Sequence, residues 1–100
     1  MNNVDRHLFQ RWYETYNYLF GLNDYNLEDA LGVLREKHKN LLLKKKKSFH
    51  DFNTIAKYEE IFAGIGDMQI ASNVKINKNS KVEEILKYLE EELENLTNEN

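Results

Sequence analysis

Apolar side chains recur every three or four residues along most of this chain, which is the spacing of one face of an α-helix. The first such series predicts a helix over residues 4–20, and the second predicts a helix over residues 27–46. The two series are Val4, Leu8, Trp12, Tyr16 and Leu19, and then Leu27, Leu31, Leu34, His38 and Leu41. Asn26 is placed to cap the second helix, because its side-chain oxygen can accept from the amide of Asp29.

A capping pattern marks the start of a third helix. Asp51 follows Ser48 by three residues, and the pair resembles a capping box, in which each side chain bonds the backbone amide of the other residue. We therefore predict a helix over residues 49–63, ended by Gly64 and Gly66. Its apolar positions include Phe49, Phe52, Ile55, Ala56 and Phe62. Only like-charge repulsion in residues 44–47 opposes a single rod through helices two and three, so that arrangement stays an alternative.

The spacing changes between residues 68 and 76, where apolar side chains fall on alternate positions. These positions are Met68, Ile70, Val74 and Ile76. Ser72 and Asn73 lie between them and suit a turn. We predict a short extended or hairpin segment here, packed on the helices because two isolated strands are marginal in water.

The last apolar series predicts a helix over residues 81–96, with Ser80 and Glu83 forming a second capping-box pattern at its start. Its positions are Val82, Leu86, Leu89, Leu93 and Leu96. The chain has no proline and four glycines among its 100 residues, which favours helices joined by short connections. The predicted fold is a mainly α bundle of three or four helices, one domain over residues 1–100, with an extended or hairpin segment before the C-terminal helix.

Charge is segregated along the chain and not mixed. Residues 35–57 contain eight basic and two acidic side chains, whereas residues 58–100 contain four basic and ten acidic ones, within a net charge of −3. A basic run of this kind is typical of a solvated face, of phosphate contacts or of docking on an acidic protein. The acidic last helix lying across the basic stretch, within one molecule or a dimer, is a further interpretation.

The sequence offers few groups that do chemistry. It has no cysteine, which excludes disulfides, thiolate metal sites and thiol catalysis. Its three histidines, His7, His38 and His50, do not have metal-ligand spacing, and nucleophile-elbow, phosphate-loop and dinucleotide motifs are absent. We expect a protein that is not an enzyme, with no metal, cofactor or small-molecule substrate. No apolar run is long enough to span a bilayer, so we also expect a cytoplasmic protein without membrane contact.

The first helix is unusually rich in aromatic side chains. Besides the series already described, Phe9, Tyr13, Tyr16 and Phe20 form a second stripe beside the first. The two stripes together are wider than one helix face. They indicate either an exposed interface for a partner or a helix enclosed at the centre of the bundle.

Two stretches resemble known families. Residues 70–89 are similar to the helix-turn-helix of bacterial DNA-binding regulators in the order of Ile70, Ala71, Ile76, Val82, Ile85 and Leu89. Residues 18–62 resemble a J-domain co-chaperone in the run Leu19-Phe20-Gly21-Leu22, the basic second helix and the pair Phe52 and Ile55. Lys75 stands where the first motif has glycine, and the chain lacks the His-Pro-Asp loop of the second family. Neither resemblance is therefore taken as membership.

These patterns favour a small regulatory or adaptor protein that binds a protein partner or forms a homodimer. The residues predicted to bind it are Phe9, Tyr13, Tyr16, Phe20, Leu86, Leu89 and Leu93. The alternative hypothesis is a DNA-binding regulator or accessory factor that uses the basic segment 35–57. The residues predicted to contact phosphates are Arg35, Lys37, Lys39, Lys44, Lys45, Lys46 and Lys47.

Overall fold

The computed structural model describes residues 3–98 and, in them, the side chains from residue 6 onward. The described chain forms four helices: α1 (Asn3–Leu19), α2 (Leu27–Leu43), α3 (Phe49–Ala71) and α4 (Val82–Asn98). The mainly α prediction is therefore confirmed. Residues 1–2 and 99–100 of the predicted domain, and the side chain of Val4, lie outside what is described.

Helix α1 packs against both α3 and α4, and α2 packs against α3. The residues buried at these contacts come from every helix and from the connection before α4. They are Trp12, Leu19, Leu27, Ala30, Leu34, Tyr58, Ile61, Ile65, Met68, Ile76, Val82, Ile85, Leu86 and Leu89. Burial of this apolar surface is the main force that holds the four helices together.

Gly64 lies at a close contact between α1 and α3, and it does not end a helix. A Cβ atom built on Gly64 would lie 2.8 Å from Thr15 Oγ1 and 3.1 Å from Arg11 Cγ. The predicted end of the third helix at residue 63 is wrong, because α3 continues to Ala71. Glycine inside a helix costs only about 1 kcal/mol relative to alanine, and packing against α1 offsets that cost.

Arg11 fastens the same contact. Its Nε donates to Glu60 Oε2 at 2.7 Å, and a terminal guanidinium nitrogen donates to Asp67 Oδ2 at 2.6 Å. Glu60 and Asp67 lie about one turn before and one turn after Gly64 on α3. These bonds, that to Glu60 foremost, raise the pKa of Arg11. The guanidinium thus spans the glycine and aligns α1 on α3.

The extended or hairpin segment predicted over residues 68–76 is also wrong. Residues 68–71 complete α3, and residues 72–81 connect it to α4 through turns. The N–H of Val74 bonds the carbonyl of Gln69 at 2.9 Å, and Asn73 bonds Ile70 at 3.0 Å, with Asn73 at φ 54° and Val74 at φ 63°. These are the bonds of a Schellman motif, which reverses the chain without a strand.

The connection into α4 pairs with the connection into α2. Leu27 N–H donates to the carbonyl of Ser80 at 2.8 Å, and Val82 N–H donates to that of Tyr25 at 3.0 Å. Ser80 does not form the predicted capping box, because α4 begins at Val82 and Lys81 directly precedes it. The Ser80 hydroxyl oxygen instead accepts from Asn77 N–H at 3.0 Å. Helix α4 nevertheless begins within one residue of its predicted start.

Among the described helices, none combines the length and the apolar character that a bilayer crossing requires. The longest, α3, has 23 residues. Its Lys57, Glu59, Glu60 and Asp67 place charge along its whole middle section. Charged groups at such positions are costly in hydrocarbon.

Candidate functional site

The α4 residues predicted to bind a partner are part of the core. Leu86 and Leu89 are buried, and Leu93 is partly buried against the core. Helix α1 covers this face of α4, and the rings of Trp12 and Tyr88 lie 5.9 Å apart between the two helices. The apolar series of α4 therefore stabilises the domain instead of forming a free surface.

The aromatic residues predicted on the first helix lie along one side of it, beside its contact with α4. Tyr13 and Phe20 are 46% and 58% exposed, whereas Phe9 and Tyr16 are partly buried. The rings pair along the chain, with centroids 6.0 Å apart for Phe9 and Tyr13 and 5.8 Å apart for Tyr16 and Phe20. We call these four residues the aromatic stripe. Helix α1 is thus not enclosed by the bundle, because Tyr13 and Phe20 remain exposed beside the face that packs against the core.

One member of the aromatic stripe is anchored to α4. The hydroxyl of Tyr16 donates to Glu90 Oε1 at 2.8 Å. This hydrogen bond is the main reason that the pKa of Tyr16 is raised. Because its ring and its hydroxyl are both held, Tyr16 fixes the middle of the stripe against α4.

The predicted phosphate-binding residues are not brought to one face. Successive helical residues are rotated by about 100°, so Arg35 and Lys39 share one side of α2 and Lys37 points away from them. Lys37 instead lines a depression with Tyr18 and Leu34. All three cations are exposed. The structure thus separates Lys37 from Arg35 and Lys39, and Lys44 to Lys47 lie together in the next connection.

Residues 42–52 form the end of the α2–α3 hairpin, which we call the hairpin tip. Asp51 organises it by accepting from the Lys44 Nζ and from Ser48 N–H, each at 2.8 Å, while Asp51 N–H donates to Ser48 Oγ. The predicted capping box is confirmed, and α2 and α3 are two separate helices. The bond from Lys44, followed by that from the Ser48 amide, lowers the pKa of Asp51 from 3.8 to about 2.

The hairpin tip exposes large apolar side chains on both sides of its lysines. Leu42, Leu43, Phe49 and Phe52 are 48%, 69%, 84% and 59% exposed. Sequence reasoning missed this surface, because it assigned both phenylalanines to the apolar face of a packed helix. The signal was the order Leu-Leu, four lysines and then Phe-x-x-Phe, which interrupts an apolar pattern with cations.

His38 belongs to the α2–α3 contact. Its ring centroid lies 5.9 Å from that of Tyr58 and 5.6 Å from that of Phe62. The side chain is partly buried, and its buried Nε2 has no hydrogen-bond partner among the described residues. Among all the residues that the structure describes, no three histidine or carboxylate side chains converge as a metal site would require.

A depression of about 210 Å³ lies between α1 and α3. Its lining residues are His7, Gln10, Arg11, Glu14, Lys57 and Glu60. The Arg11 guanidinium and the Glu60 carboxylate bond each other there. Arg11 and Glu60 therefore serve the contact between the two helices.

The aromatic stripe and the hairpin tip are the candidate functional surfaces of the described chain. Both present large apolar side chains to water, and contiguous exposure of this kind is typical of interaction sites. No family model, curated protein or solved structure matches this chain. The chemistry of each surface is therefore inferred from its own side chains.

Proposed function

We propose that this chain is a small non-enzymatic adaptor or regulatory protein that binds a protein partner through the aromatic stripe. The exposure of Tyr13 and Phe20, on a helix whose neighbouring face packs against the core, supports this proposal. Tyrosine and phenylalanine are enriched in protein interfaces, where a few buried aromatic anchors supply most of the affinity.

The geometry of the stripe favours binding for an entropic reason. Phe9 stacks on Tyr13, and Tyr16 packs on Phe20, so the four rings are ordered before a partner arrives. A preordered surface loses less conformational entropy on association than one made of mobile side chains. Covering the exposed part of Phe20 contributes about 1–2 kcal/mol by apolar burial.

The proposal is tested by comparing the wild-type chain with a Tyr13→Ser/Phe20→Ser double variant. We expect the wild type to form a stoichiometric complex, with a protein of its native host or with a second copy, as measured by sedimentation velocity and affinity capture. The double variant should lose this complex. The control is Ile70→Ser, which removes an exposed apolar side chain far from the stripe in sequence. Equal complex formation by all three proteins would contradict the proposal.

The alternative function, binding of DNA, is supported by the exposed cations of the hairpin tip. Lys45 and Lys46 are exposed and take part in none of the ion pairs of the described residues. If these cations contact phosphates, log K should fall with log[salt] by about 0.9 for each phosphate neutralised. Replacing Lys45 and Lys46 with glutamine should then flatten the slope. Absence of duplex binding at low salt would exclude this alternative.

A further inference from the structure

We propose that the hairpin tip docks this protein on an anionic lipid surface. In this arrangement Leu42, Leu43, Phe49 and Phe52 enter the interfacial region of one leaflet, while the lysines between them contact lipid phosphates and carboxylates. The hairpin tip is a surface separate from the aromatic stripe. Docking through it departs from the sequence-based expectation of no membrane contact, because the exposure of the two phenylalanines is a tertiary property.

The first argument is the shape of the tip. The buried residues of α2 end at Leu34, and those of α3, apart from Asp51, begin at Tyr58. The last nine residues of α2 extend about 13 Å beyond Leu34. Among them, His38 packs against α3 and Leu41 is partly buried against the core, so the exposed projection begins at residue 42. Phe49 is 84% exposed at the end of this projection. A fluid lipid interface accepts projecting side chains directly, whereas a protein partner would need a matching cavity for each.

The second argument is charge. Asp51 is the one carboxylate among residues 42–52, and Lys44 neutralises it at 2.8 Å. Lys45, Lys46 and Lys47 remain as excess positive charge directly beside the exposed apolar groups. Lysines on long flexible stems can reach headgroups while neighbouring apolar side chains enter the interface. The tip is thus complementary to a surface that is both apolar and anionic.

The third argument is that the tip is preorganised. The capping box between Ser48 and Asp51 fixes the start of α3, and Lys47 Nζ donates to the carbonyl of Lys44 at 2.9 Å. Phe49 and Phe52 are three residues apart on the same helix, so they share a face. Binding to DNA phosphates would account for the lysines but would leave these apolar side chains in water. For that reason we favour lipid over nucleic acid.

The experiment is cosedimentation of the full chain with vesicles of two compositions. One set is pure phosphatidylcholine, and the other contains about 30% phosphatidylserine as a source of negative surface potential. We expect binding to the anionic vesicles, weakened by added salt, and little binding to the neutral ones. Failure of the folded wild-type protein to bind anionic vesicles at low salt would overturn the proposal.

Matched variants separate the apolar and the cationic contributions. Phe49→Ser should weaken vesicle binding by about tenfold or more, since it removes a buried phenylalanine from the bound state. Lys45→Gln/Lys46→Gln should weaken it by about thirtyfold, from about a fivefold effect of each lysine near an anionic surface. The end of α3 and the connection before α4 provide controls, because Ile70 and Lys75 are also exposed. Ile70→Ser and Lys75→Gln should leave binding unchanged.

Three outcomes would overturn the lipid proposal, and the first two would assign the tip to another occupant. Duplex DNA binding that requires Lys45 and Lys46 but not Phe49, without vesicle binding, indicates nucleic acid. A concentration-dependent mass increase that Phe49→Ser abolishes, again without vesicle binding, indicates a second copy. Vesicle binding that Ile70→Ser weakens as much as Phe49→Ser does indicates nonspecific adsorption. Far-ultraviolet circular dichroism of each variant verifies that the helices are retained.

Discussion

The substitution Gly64→Ala tests how closely α1 and α3 approach each other. The added Cβ would lie 2.8 Å from Thr15 Oγ1 and 3.1 Å from Arg11 Cγ, and both atoms are held in place. Thr15 is buried and its hydroxyl donates to the carbonyl of Arg11 at 2.8 Å, so rotating it away breaks a hydrogen bond. Arg11 is tied to Glu60 and Asp67. The strain therefore cannot be relieved by a free side-chain end.

The magnitude follows from two opposing terms. Overpacking a tight contact costs about 1–3 kcal/mol. Replacing glycine by alanine inside a helix returns about 1 kcal/mol. Gly66 lies in the same helix, and a Cβ added there would have no neighbouring atom within 4 Å. Gly66→Ala therefore gains the higher helix propensity of alanine without any overpacking cost. We expect Gly64→Ala to be less stable than Gly66→Ala by about 1–3 kcal/mol, the full overpacking cost.

The assay is urea denaturation followed by far-ultraviolet circular dichroism, with the free energy of unfolding extrapolated to water. Thr15→Ala provides a second check, because removing the hydroxyl should reduce the penalty of Gly64→Ala in the double variant. Equal stability of Gly64→Ala and Gly66→Ala would refute the close contact, and with it the reason that α3 continues through Gly64.

Three further predictions concern the capping box and the turn before α4. Ser48→Ala should lower the free energy of unfolding by about 1 kcal/mol in urea denaturation, because it removes the N-cap acceptor of α3. The pKa of Asp51 is lowered from 3.8 to about 2, so the ionised carboxylate stabilises the fold fully above pH 3.8, and this stabilisation is lost as the pH falls through 2. Asp51→Asn should therefore reduce the pH dependence of the free energy of unfolding between pH 3.8 and 2. An unchanged pH dependence would contradict the lowered pKa of Asp51. Val74→Gly should raise stability by about 1 kcal/mol in thermal unfolding, because a β-branched residue at φ 63° is strained; a loss of stability would show that the Val74 side chain contributes more than its strain costs.

Helix starts could be predicted from the sequence because their signals are local. The side chain of Asn26 accepts from Asp29 N–H as expected, and Ser48 with Asp51 forms the expected capping box. Both depend on residues within one turn. The end of α3 could not be predicted in this way, since Gly64 costs little in a helix and its fit against α1 is a tertiary property.

The connection before α4 and the exposed hairpin tip could not be predicted either, because they too depend on tertiary structure. Alternating apolar positions suggested a strand, but residues 68–71 continue α3 and the left-handed backbone at Asn73 and Val74 ends it, so only Met68 and Ile76 of that alternation are buried. The apolar pattern of residues 49–62 resembled one packed face, yet Phe49 and Phe52 are exposed. Whether an apolar face is covered depends on helix arrangement, which periodicity does not encode. The aromatic stripe could be predicted because it and the neighbouring apolar series are together wider than one helix face.

The most direct test of the proposed function is site-specific photocrosslinking in the native host. A benzophenone-bearing phenylalanine analogue replaces Phe20 in one protein and the exposed Ile70 in a control. We predict a discrete covalent adduct with a protein partner or a second copy from position 20, and none from position 70. A folded protein that gives no adduct from position 20, or the same adducts from both positions, would contradict binding through the aromatic stripe.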